Sequence, residues 1–64
     1  MKTKISRLKG YRFLAGKSQD EIAHTIGISQ AKLSRIERGY IQPTLAEKKL
    51  IAEILDRTPE EIFS

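Results

Sequence analysis

The 64-residue sequence contains no cysteine, no tryptophan, one histidine (His24) and two prolines. Without cysteine there is no disulfide, and a single imidazole cannot assemble a metal site, so the usual staples of very small folds are missing. Long apolar stretches are missing too. No run exceeds three residues, Phe13 to Ala15 and Leu50 to Ala52 being the longest, which excludes a membrane-spanning helix and a secretory leader. A cytoplasmic protein with no membrane partner is the expectation. A chain this short buries only about 60% of the surface its unfolded form exposes, so residues 1–64 should form one domain whose function sits on its outside. No nucleophile–base pair, glycine-rich phosphate loop or room for a pocket is present, which argues against an enzyme and against a cofactor, metal or small-molecule ligand.

Charge is present but unevenly placed. The net charge is +4, from 12 Lys and Arg against 8 Asp and Glu. Residues 1–40 carry nine positive and three negative side chains, a balance of +6, while residues 41–64 carry three positive and five negative, a balance of −2. One part of the molecule can attract a polyanion and the other cannot.

Start and stop signals divide the chain into five short helices. The first is expected over about Lys4 to Ala15, with Ile5, Leu8, Tyr11 or Arg12, and Ala15 on one face and Gly16 at its end. Ser18 with Glu21 forms a capping box before a second helix that buries Ile22, Ala23 and Ile26 and stops at Gly27. Ser29 caps a third helix over Gln30 to Arg38 that buries Leu33 and Ile36, and Gly39 closes it. Thr44 with Glu47 opens a fourth helix to about Leu55, with Leu45, Leu50 or Ile51, Ile54 and Leu55 inward. Thr58, Pro59 and Glu61 start a last short helix ending at Phe63. The fold expected is an all-α five-helix bundle.

Residues 18–39 have the layout of a helix-turn-helix, two short helices joined through Ile26, Gly27, Ile28 and Ser29. On a wheel of about 100° per residue, the third helix puts Leu33, Ile36 and Glu37 on one side. Ala31, Ser34, Arg35 and Arg38 fall opposite, with Gln30 at the exposed N-terminal edge. Gln and Arg can each give paired hydrogen bonds to a base edge, Gln to adenine and Arg to guanine, and small Ala31 and Ser34 allow close approach to the groove floor.

The combination S-Q-D-E-I-A (18–23), I-G-I-S (26–29) and L-S-R-I-E-R-G (33–39), followed by P-T-L (43–45) and T-P-E-E-I-F (58–63), resembles the phage-repressor-like helix-turn-helix family of the Cro/C1 or Xre type. The resemblance runs from about Leu8 to Phe63. It implies a homodimer that binds double-stranded operator DNA, with the second helix of the pair in the major groove, as a repressor or other transcriptional regulator. By position it implies base reading by Gln30, Ala31, Ser34 and Arg35. Backbone contacts fall to Gln19, which also braces Gln30, and to Ser29, Lys32, Arg38, Tyr40 and Gln42. Arg12 and Glu37 match a structural ion pair. Three positions depart from the family pattern: Lys17, which Leu14 could replace in the core, Lys48 and Arg57. Ile41 is apolar in a loop that is commonly polar.

Several residues have a second reading. His24 is expected on the surface or near backbone phosphate. Tyr11 and Phe13 could form a stacking platform for single-stranded nucleic acid, but their helix positions favour the core. Ile54, Ile62 and Phe63 either close the core or form a dimer patch. The alternative to a DNA-reading repressor is an antitoxin or a restriction-modification controller component acting partly as a protein-interaction module. Without a ligand domain, regulation is expected through concentration, a partner or a competing protein.

Overall fold

Local sequence chemistry accounts for where the last four of the five helices begin. The computed structural model describes residues 7–63 and contains α1 (Arg7–Ala15), α2 (Gln19–Ile26), α3 (Gln30–Glu37), α4 (Leu45–Leu55) and α5 (Pro59–Phe63). The expected helical start at Lys4, and Ile5 on its face, lie outside the described residues. Both capping boxes form: Ser18 Oγ accepts from the Glu21 N–H and Thr44 Oγ1 from the Glu47 N–H, each glutamate returning a bond to the cap residue's own N–H. Thr58 and Glu61 exchange the same pair of bonds ahead of α5. Ser29 caps α3 by accepting from the Lys32 N–H.

The helix ends are set by backbone conformation. Gly27 ends α2 at φ 82°, and a Cβ there would meet nothing within 4 Å. The requirement is therefore conformational rather than spatial, since only glycine takes this region freely. α4 ends differently: Asp56 adopts φ 58° where the sequence offers no glycine. Aspartate tolerates the left-handed region better than most side chains.

Leu8, Ile22, Ala23, Leu33, Ile36, Ile51, Ala52, Leu55 and Ile62 make one core in which every helix takes part. α2 packs on α3 and α4, and α5 closes the other side against α1 and α4. The inward faces differ from expectation at several positions. On α1 the buried residues are Leu8 and Arg12, with Tyr11 half-buried and Ala15 in solvent. On α4 they are Ile51, Ala52 and Leu55, whereas Leu45 and Leu50 are 78% and 43% exposed. Leu45 opens the helix at its solvent side, and Leu50 lies about 100° from Ile51, so only one of that pair can face inward. Leu14 stays 78% exposed and does not replace Lys17 in the core. Phe13 is likewise mostly exposed rather than core.

Two departures from the family pattern become packing contacts. The Lys48 ammonium lies 5.8 Å from the Phe63 ring centre, and the Arg57 guanidinium 5.0 Å from that of Tyr11, each a cation on an aromatic face at the bundle's closing end. Among the described residues no helix is long and apolar enough to cross a membrane.

Because Ile51 is fully buried while Leu45 is not, their truncations should separate cleanly in urea denaturation. Ile51→Ala is expected to cost about 2–5 kcal/mol, and Leu45→Ala less than about 0.5 kcal/mol.

Candidate nucleic-acid interface

The two caps fix which residues stand at the tips of the paired helices. Ser18 makes Gln19 the first residue of α2, and Ser29 makes Gln30 the first residue of α3. Both tips connect to a buried ion pair. Arg12 Nε donates to Glu37 Oε2 at 2.6 Å and its Nη2 to Oε1 at 3.2 Å, with side chains 9% and 4% exposed. The remaining guanidinium nitrogen, Nη1, donates to the Lys17 carbonyl at 3.2 Å and so ties down the chain between α1 and α2.

From this pair a chain of bonds runs outward. Gln19 Nε2 donates to Glu37 Oε1 at 2.8 Å, and Gln30 Nε2 donates to Gln19 Oε1 at 3.4 Å. The order of these bonds follows from the chemistry of the groups. An ionised carboxylate only accepts, so Gln19 must turn its NH₂ toward Glu37 and its carbonyl toward Gln30. Gln30 then keeps a carbonyl oxygen and one N–H unused, the pair of groups an adenine edge takes in the major groove. Among the described residues, no buried side-chain nitrogen or oxygen lacks a partner.

The outer face of α3 is open. Gln30, Ala31, Arg35 and Arg38 are exposed and Ser34 is half-buried, while Leu33, Ile36 and Glu37 face inward. Arg38 stands just past the end of α3, as its cap. Tyr40 is 71% exposed and Gln42 is exposed, both in the loop that leaves α3 beside this face. The hydroxyl oxygen of Ser29 accepts from the Lys32 N–H, which leaves its proton free to donate.

Two expected site residues stand elsewhere. Lys32 turns away from the open face, its Nζ 2.9 Å from Glu47 Oε2 at the start of α4. Ile62 is 4% exposed and part of the core, so it cannot join a dimer patch; Ile54 and Phe63 are half-buried. His24 is exposed on α2, beside Lys17, Glu21, Thr25 and Ile54.

Two contacts were not foreseen from sequence. The Lys32 to Glu47 bridge joins residues 15 apart in sequence, on α3 and α4, and the motif marks Glu47 only as a capping residue. The bond from Gln19 to Glu37 unites a brace and an ion pair that the sequence presents as separate features. The Lys32 ammonium, followed by the Thr44 N–H, holds the Glu47 carboxyl below the ordinary glutamate value.

A helix-turn-helix family model matches residues 8–62 of the chain. Among solved structures, the chain is similar to the restriction-modification controller protein C.AhdI from Aeromonas hydrophila. The two are 32% identical, the alignment covers 89% of this chain and 86% of that one, and the TM-score is 0.80. The comparison with curated proteins returned no match.

Removal of one member of the buried pair, by Arg12→Ala or Glu37→Ala, leaves an uncompensated charge and should destabilise by about 3–5 kcal/mol in chemical denaturation. A loss below about 0.5 kcal/mol would mean that the pair is solvated. Glu47 gives a pH test. Its folded value is depressed, so its contribution is present above the ordinary glutamate value of about 4.3 and is lost as pH falls through the lower folded value. The stability advantage of the native chain over Lys32→Met should therefore shrink in acid, and an advantage constant with pH would contradict the bridge.

Proposed function

The chain belongs to the helix-turn-helix family of DNA-binding transcriptional regulators, and on that premise we propose that it reads a palindromic operator as a homodimer, with α3 of each copy in the major groove. Two such helices would sit about 34–36 Å apart, one turn of the duplex. The observation that carries this reading is the composition of the open face of α3. Gln30 and Arg35 offer paired hydrogen bonds to adenine and guanine, and Ala31 and Ser34 between them are small enough to let the helix approach. Arg35 and Arg38 form no ion pair among the described residues, so neither must leave a partner to reach DNA.

Gln19, Ser29, Arg38, Tyr40 and Gln42 flank that face and serve the phosphates, which set register without reading sequence. Lys32 can join them only by leaving Glu47, and its contribution is correspondingly smaller. Repression follows from occlusion of the promoter, in the cytoplasm where the operator is. A second role is favoured by the likeness to C.AhdI: control of a restriction-modification pair, ahead of the antitoxin alternative.

Arg35→Ala is expected to cost about 1–3 kcal/mol on the operator, confined to one position of each half-site, with random duplex bound nearly as well as before. Equal loss on operator and random duplex, in a titration at fixed salt, would contradict base reading by Arg35. Arg38→Gln should reduce the slope of log K against log salt by about 0.9 for each phosphate that the arginine neutralises, and Lys32→Gln by less. An unchanged slope for Arg38→Gln would return that residue to solvent.

A further inference from the structure

The helices α2, α4 and α5 each carry a glutamate three residues after the cap, and Glu21, Glu47 and Glu61 all return a bond to the N–H of the cap residue. In α3 that place is held by Lys32, and the first turn contains no acid. For folding, lysine is the poorer choice. Its ammonium accepts no hydrogen bond, so the box that Ser29 opens cannot close. A cation there also opposes the positive end of the helix dipole. A local rule broken with no gain to the helix itself points to a use outside it. On the helix whose open face is set against DNA, that use is attraction of an anion.

Inside the chain the anion that Lys32 meets is Glu47, at 2.9 Å, with side chains 40% and 14% exposed. One carboxylate oxygen takes the ammonium while the other stays on the Thr44 N–H at 2.9 Å. The cap bond thus holds the carboxylate ready, and only the flexible lysine stem has to be ordered to complete the bridge.

We propose that Glu47 is an intramolecular competitor of the DNA phosphates for Lys32, and so limits how tightly the chain holds a duplex of any sequence. This deepens the DNA-binding reading above and rests on it. A carboxylate and a phosphodiester each carry one negative charge and accept the same charge-assisted bond from an ammonium. Lys32 cannot serve both at once. Because phosphate contacts carry no sequence information, withholding one lowers affinity for every duplex alike and leaves base reading by Gln30 and Arg35 untouched. Arg35 and Arg38, which form no ion pair among the described residues, face no such competitor.

Anisotropy titrations of the full chain against a labelled duplex of random sequence test the competition. Glu47→Gln preserves the cap, since a glutamine carbonyl also accepts the Thr44 N–H, and circular dichroism confirms helicity. This variant should bind about threefold or more tighter at about 0.1 M salt, with the slope of log K against log salt steeper by about 0.9 for each lysine that gains a phosphate. In a Lys32→Met background the same substitution should leave the slope unchanged and lose most of the gain. An equal gain in both backgrounds would mean that Glu47 only repels DNA, and an unchanged slope that Lys32 reaches no phosphate. Either result overturns the competition while leaving DNA binding in place. A native chain that binds no duplex in about 50 mM salt would overturn the DNA-binding reading itself.

Discussion

A guanidinium and a carboxylate withdrawn from water hold the place where three helices meet. Removing such charges from solvent costs several kcal/mol for each ion, and their attraction offsets that only if the remaining donors and lone pairs are also satisfied. Here they are. Arg12 spends its donors on Glu37 and on the Lys17 carbonyl, and Glu37 accepts from Arg12 and Gln19. The arrangement fixes α1 against the end of α3 and locks the chain leading into α2. It also turns the Gln19 amide, and through it the Gln30 amide, into one orientation. A structural ion pair in the interior therefore sets the hydrogen-bonding pattern that the tip of α3 presents outward.

The rest of the bundle is arranged around that constraint. The apolar core fixes which face of α3 is inward, and the charged pair fixes how α3 is rotated and where its tip lies. Neither alone is sufficient. Apolar contacts such as those of Leu33 and Ile36 are non-directional, whereas the charged pair adds directed bonds to fixed partners. The second charged contact, Lys32 with Glu47, ties the same helix to α4. α3 is thus held by ion pairs at both ends, and Arg35 on it and Arg38 just past it form no ion pair among the described residues.

Much of this was legible in the sequence, because capping is local chemistry. Each capping box is written in four residues, and all three open a helix where the sequence places it. The alternation of inward and outward residues on α3 was legible for the same reason: one short helix with two strong apolar positions leaves little freedom. What escaped were features decided at long range or by backbone choice. Which of Leu50 and Ile51 turns inward depends on where α2 and α5 press on α4. The left-handed Asp56 has no glycine to announce it. Lys48 and Arg57 are explained only by the rings of Phe63 and Tyr11 beneath them. Ile62, which the sequence left between core and dimer patch, belongs to the core.

The charge distribution takes on meaning in the same way. The +6 segment contains the paired helices and the −2 segment the last two helices, and of the positive side chains Arg35 and Arg38 stand exposed on α3 and just past its end. Selection of bound sequences from a random duplex library tests the central claim most directly. We expect an enriched inverted repeat with half-site centres about 10 base pairs apart, each half carrying a preferred adenine and a preferred guanine within reach of one helix. Recovery of duplexes with no shared sequence, at a salt concentration where the chain still binds, would contradict it.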